Sequence, residues 1–149
     1  MAHILIVAHA PLASSLQAVA RHVYPDCGAG LTAVDVAPGA KLEETEARVR
    51  ESLAACGGAE VLILTDVFGA TPCNAALAVA DGLRTRVVAG VNVPMLWRAL
   101  CYVEQALEEL VNRALAGGTQ GVMHVVVPRR QNQPSPAPSH DQVKSQHQQ

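Results

Sequence analysis

Short unbroken apolar runs alternate along this chain with longer stretches whose apolar residues recur every three or four positions. "HILIVAH" (3–9) reads as a strand buried on both faces, because its apolar run does not alternate with polar residues. "LASSLQAVARHV" (12–23) has helical spacing, and "LTAVDV" (31–36) is strand-like. "KLEETEARVRESLAAC" (41–56) predicts a helix with its acids early and its arginines later, the sense that the helix dipole favours. "AEVLILTD" (59–66) is another buried strand. "TPCNAALAVADGL" (71–83) predicts a helix with Thr71 as its N-cap and Pro72 in the first helical position. "RVVAGVN" (86–92) is a fourth strand. "PMLWRALCYVEQALEELVNRALAGG" (94–118) predicts one long helix stopped by Gly117 and Gly118, and "GVMHVVV" (121–127) a last strand.

Strands alternating with helices in this way predict an α/β fold: a doubly wound, mainly parallel sheet with helices on both faces. The 149 residues suit a single domain with a real core. From Pro128 the composition turns Pro-, Gln- and Ser-rich with almost no large hydrophobes. Such a segment buries too little surface to offset its ordering entropy. The expectation is a folded domain over 1–127 and a disordered tail over 128–149.

Composition narrows the chemistry. The formal net charge is −2 and no basic stripe stands out, which argues against a nucleic-acid partner. Cys27, Cys56, Cys73 and Cys101 form no CxxC pair and read as reduced small hydrophobes. The apolar runs are of strand length, and the N-terminus lacks a basic region followed by a long apolar one. A cytoplasmic protein is expected.

In open α/β sheets, ligands bind beyond the carboxyl ends of the strands, where strand order reverses. The first strand ends on His9 and the third on Asp66. If these strands are neighbours, imidazole and carboxylate share one crevice with the N-terminus of the helix that begins Thr71-Pro72. That helix end is an anion site, and the small Gly69 and Ala70 let an anion approach the backbone. A carboxylate on one ring nitrogen fixes the tautomer, frees the other nitrogen as a nucleophile and stabilises the ring once it is cationic. A histidine that accepts a phosphoryl group needs these features, and Thr71 would add a hydroxyl donor. Each residue also has a plainer reading: His9 as a satisfied polar residue at a strand end, Asp66 as a turn cap, Thr71-Pro72 as a helix start.

The remaining candidates are weaker. His3 lies at the wrong end of its strand. His22 sits late in a helix, where the dipole favours it. His124 is expected in the last strand, with a structural or dimer-contact role, and His140 and His147 fall in the tail. These histidines lack metal-ligand spacing, so no metal site is expected. Met95 and Trp97 read as helix packing near the crevice rim, and Asn92 as a bond to a neighbouring loop.

Three co-linear stretches, "ILIVAHAPLASSL", "LILTDVFGATPCNAA" and "VVAGVNVPMLWRAL", carry a resemblance. The chain resembles the mannose-type enzyme IIA domain of the bacterial phosphoenolpyruvate-dependent phosphotransferase system (PTS). Its Asp loop is usually written TDxFGGTPxN, and the likeness covers about residues 1–127. The resemblance implies that His9 is the phosphoryl acceptor and that Asp66 orients it. Thr71, with backbone groups from Phe68 through Gly69 to Ala70, would hold the phosphoryl oxygens. It implies a donor, the histidine-containing phosphocarrier protein HPr, charged by enzyme I, and an acceptor, a IIB component or a regulatory protein. It implies no cofactor, and a homodimer in which the last strand, "GVMHVVV", runs antiparallel and is exchanged.

Two alanines depart from the family pattern: Ala10 and Ala70 stand where glycines are common. They matter if the backbone there needs positive φ or must touch the phosphate. They favour the second reading, a regulatory protein-binding module without catalysis. A third reading, a binder of small phosphorylated ligands, leaves His9 and Asp66 without a purpose.

Overall fold

The computed structural model describes residues 1–131 and 134–137, without the side chains of residues 27–29. The reading of Cys27 and most of the expected tail, with His140 and His147, lie outside the described residues. The strands are β1 (His3–His9), β2 (Leu31–Val36), β3 (Val61–Thr65) and β4 (Thr85–Ala89). The helices are α1 (Leu12–Val23), α2 (Leu42–Ala55), α3 (Thr71–Val79), α4 (Val93–Cys101) and α5 (Leu107–Gln120). A short 3-10 turn over Pro25–Gly30 leads into β2. All strand pairs are parallel, in the order β2-β1-β3-β4.

β1 is the centre of the sheet, and its alternating side chains feed two cores. Ile4, Ile6 and Ala8 pack with Ala13, Leu16 and Ala20 of α1, Leu96 and Ala99 of α4, and Leu110 of α5. Leu5 and Val7 face the other way, onto Val49 of α2 and Ala76 of α3. Every residue from Ile4 to Ala8 is fully buried. Each large side chain among them contributes about 1.5–3 kcal/mol through burial. The unbroken apolar run of β1 is the consequence of being covered on both faces.

Two expectations on element limits are corrected. The helix expected over 71–83 ends at Val79. Asp81 is the cause: its Oδ1 accepts the backbone N–H groups of Leu83, Arg84 and Thr85, each at 2.9 Å, and offers the backbone a turn in place of helix. The single helix expected over 94–118 is two helices, broken at residues 102–106. Unbroken, it would run about 37 Å, well past strands of about 20 Å. Folded back, α5 lays its own apolar face on the core and packs against α4. Gly117 and Gly118 therefore do not stop the helix. They are contact points for α4: a Cβ at Gly117 would lie 2.5 Å from Arg98 Cβ, and one at Gly121 would overlap the Pro94 ring. Asn92 joins the same contact. Its side chain caps α4 by accepting from the Met95 N–H at 2.9 Å and donates to the Gly118 carbonyl at 3.1 Å.

The segment expected as an exchanged last strand, "GVMHVVV", lies clear of its own sheet. Within the single chain it pairs with none of the four strands. Val122, Met123, Val125, Val126 and Val127 are all exposed. The sheet of one chain is therefore wholly parallel. Met95 is buried in the core, and Trp97 packs edge-on against Tyr24, ring centroids 6.5 Å apart, so both serve packing. His3 Nε2 bridges to Thr32 Oγ1 at 3.1 Å between β1 and β2. Among the described residues, no helix is long and apolar enough to cross a membrane, and no cluster of His, Cys, Asp or Glu has metal-binding geometry.

The α4–α5 contact gives a direct expectation. Gly121→Ala should lower unfolding free energy by about 1–3 kcal/mol, the usual range for overpacking. Urea denaturation checks this; an unchanged midpoint would mean the helices separate at no cost.

Candidate functional site

Strand order decides what the carboxyl edge of the sheet holds. β1 and β3 are neighbours in the register Val7↔Thr65, so the residues that leave the two strands, His9 and Asp66, emerge side by side. This is the reversal point: the chain passes from β1 outward to β2, then back across β1 to β3.

His9 and Asp66 are in contact. His9 Nδ1 stands 2.6 Å from Asp66 Oδ2, and the His9 backbone N–H donates to that same oxygen at 2.9 Å. The second oxygen, Oδ1, accepts from the Val67 N–H at 2.9 Å. An ionised carboxylate only accepts, so the proton lies on Nδ1 and Nε2 is left with its lone pair. The His9 side chain is 51% exposed and that of Asp66 is 13% exposed, so the acid is sheltered and the imidazole is open to an approaching partner. Partial burial pushes the Asp66 carboxyl upward. The hydrogen bonds from the His9 backbone, the His9 ring and Val67 outweigh that, and the acid sits below its ordinary value.

The rest of the Asp loop follows in order. Val67 and Phe68 are exposed, Phe68 by 77%. Gly69 has φ +89, a left-handed conformation that glycine adopts without strain. Ala70 has φ −94 and ψ 167, ordinary extended backbone, and is the N-cap of α3. No non-glycine residue that is described has positive φ, Ala10 included. The methyl groups of Ala10 and Ala70 thus bring no backbone strain. The N-cap expected at Thr71 is one residue earlier, at Ala70: Thr71 is the first helical residue and Pro72 the second, still within the turn where a missing N–H costs nothing.

Sequence reasoning missed two residues here. Asp35, near the carboxyl end of β2, accepts the Ser14 N–H at 3.0 Å and so closes the N-terminus of α1, whose own N-cap, Pro11, has no side chain to do it. Burial pushes the Asp35 carboxyl up, but bonds from Ser14 and Ala13 and the charge of Arg48 bring it below its ordinary value. The signal was present: an acid near the end of an apolar strand, as with His9. Asn74 is the other. Its Nδ2 donates to the Gly69 carbonyl at 3.3 Å. Of the helices that begin beside β1, β3 and β4, α1 is closed by Asp35 and α4 by Asn92, while α3 has no side-chain cap. Its first N–H groups, which have no partner within the helix, remain for an anion.

Since the folded state holds Asp66 below the value near 3.9 of an unfolded chain, its ionised form favours folding. That contribution is complete above the unfolded value and disappears as pH falls through the folded one. The stability gap between wild type and Asp66→Asn should be constant near neutrality and close in acid. Denaturation curves from pH 7 to pH 2 measure it; a gap that widens in acid would contradict the assignment.

Comparison with known proteins follows the same line. A family model described as "PTS system fructose IIA component" matches residues 3–115. The PTS system fructose-specific EIIA component of Bacillus subtilis (strain 168) is 44% identical over 63 residues, 41% of this chain and 43% of that protein. The PTS system mannose-specific EIIAB component of Escherichia coli (strain K12) is 36% identical over 93 residues, 60% of this chain and 29% of that protein. The matched region is thus less than half the length of each of these relatives. The mannose/sorbose specific IIA subunit of the phosphotransferase system from Enterococcus faecalis superimposes with TM-score 0.77 at 24% identity, covering 86% of this chain and 97% of that one. The component EIIA from Streptococcus agalactiae gives 0.74 at 20% identity, covering 83% and 97%. At such identities the structures speak for the fold, while the family model spans most of the residues that build sheet and site. The chain belongs to the PTS fructose IIA component family, whose members are proteins of the phosphotransferase system.

Proposed function

We propose that this chain is a phosphoryl carrier that accepts a phosphoryl group on His9 Nε2. The observation that carries the proposal is the 2.6 Å contact between His9 Nδ1 and Asp66 Oδ2 beneath an exposed imidazole. The Nε2 lone pair attacks the phosphorus of a phosphohistidine on the donor. The new N–P bond forms as the old one breaks, and its electron pair returns to the donor nitrogen. The proton on Nδ1 stays in place, and the cationic ring is stabilised by the Asp66 carboxylate. The phosphoryl oxygens take the N–H groups at the open end of α3 and the Thr71 hydroxyl, along the Phe68-Gly69-Ala70 loop. In the second transfer the N–P bond breaks toward a new nucleophile.

The donor in this reading is HPr and the acceptor a IIB component or a regulatory protein, in the cytoplasm. Family membership and the relative described as an EIIAB component support it. Residues 1–127 are the carrier domain. The test uses phosphoenolpyruvate, enzyme I and HPr with wild type and His9→Ala, read by intact mass. One acid-labile phosphoryl adduct on wild type and none on the variant is expected. No adduct on wild type, beside a control IIA domain that is charged, would leave the binding-module reading in its place.

We further propose a homodimer in which residues 121–127 add an antiparallel strand to a second copy. β4 is an edge strand with half-exposed residues, and 122–127 is an exposed apolar run. Such edges and runs invite pairing. Sedimentation should give a dimer for wild type and a monomer for Val125→Asp/Val127→Asp; a monomeric wild type would end the idea.

A further inference from the structure

We propose that Asn74 is a positioning residue for phosphoryl transfer: its amide fixes the Gly69–Ala70 peptide so that the Ala70 N–H, not the Gly69 carbonyl, is turned toward the phosphoryl group. The proposal rests on the carrier reading above and deepens it. Asn74 lies in the first turn of α3 on its solvent side, and its Nδ2 donates to the Gly69 carbonyl at 3.3 Å. The neighbours Cys73, Ala75 and Ala76 are buried toward the sheet. The Gly69–Ala70 bond is trans, so its C=O and N–H point in opposite directions. Drawing the carbonyl to the solvent flank of α3 therefore turns the N–H to the sheet flank, where His9 and Asp66 stand.

The constraint is needed because of what surrounds this peptide. Gly69 has φ +89, and an added Cβ there would meet nothing within 4 Å. Glycine in open space is free to take either sign of φ, so local sterics do not choose the peptide's orientation. The α3 end carries no side-chain cap to fix it either. Reversed, the peptide would present a carbonyl oxygen to the phosphoryl oxygens, and an attraction would become a repulsion. Asn74 removes that alternative without touching the reacting atoms. Its hydrogen bond goes to the loop carbonyl and not to His9 or Asp66, so it acts through the loop.

The test compares wild type with Asn74→Ala, which removes the donor without adding charge, and Asn74→Gln, which keeps an amide. Asn74 is exposed, so the fold should persist, and thermal melting verifies this. Steady-state transfer from phosphorylated HPr should show kcat lower by about tenfold in Asn74→Ala, with KM for HPr unchanged and the rate largely regained in Asn74→Gln. In wild type, the Ala70 amide proton should move downfield on phosphorylation, as a new hydrogen bond requires; in Asn74→Ala that shift should be lost. A wild-type rate in Asn74→Ala, or a change in KM alone, overturns the inference and leaves the carrier reading intact. A wild-type chain that takes no phosphoryl group overturns both.

Discussion

The parallel pairing of β1 with β3 is the interaction on which everything else rests. Moving from β1 to β2 carries the chain one way across the sheet, and moving from β2 to β3 brings it back past β1. Right-handed crossovers in opposite directions place their helices on opposite faces. α1 therefore lies on one face, with α4 and α5 later joining it, and α2 and α3 lie on the other. Between α1 and α3 the carboxyl edge is left open. The register Val7↔Thr65 ends the β1–β3 ladder, and just beyond it stand Asp66, the first residue after β3, and His9, the last residue of β1.

Around that gap several polar groups are paired, while the buried Thr65 hydroxyl, next to Asp66, has no partner among the described residues. The Asp66 carboxylate takes three donors from two neighbouring segments, two from His9 and one from Val67. Asp35 and Asn92 close two of the nearby helix ends. The net effect is electrostatic contrast within a few residues: sheltered negative charge below the imidazole, exposed N–H groups at the start of α3 beside it. Buried carboxylates are stable only when supplied with donors in this way. The apolar core of Val and Leu strands underneath keeps those donors fixed.

Much of this was legible in the sequence, and the misses have physical causes. β1 and β3 are plain because residues buried on both faces leave unbroken apolar runs, while β2 is interrupted by Thr32 and Asp35 and is buried only in part. Pro72 marks α3 because proline is tolerated in the first turn of a helix and not further in. His9 and Asp66 stand out as polar residues at the ends of apolar strands, and the structure brings the two into contact. The break at 102–106 is not, since α4 and α5 share one apolar periodicity, and only the length of the sheet forces them to fold back. Gly117 and Gly118 misled for a related reason: glycine ends helices by backbone freedom but also admits a close neighbour, and local sequence does not separate the two. The strand character of 121–127 is a property of its composition, whereas a strand needs a partner, and one chain offers it none.

Asp66 Oδ2 binds the main chain and the ring of His9 together. One oxygen thus ties the backbone position of this residue to the rotation of its side chain. Two torsions that would otherwise wander are settled as the protein folds, once, and need not be settled again at each encounter with a partner. The entropy of aiming the imidazole is then part of the free energy of the native state and not of the barrier to reaction. Local melting at the end of β1 would return that entropy to the reaction coordinate, so the aim of the ring and the integrity of the sheet edge rise and fall together.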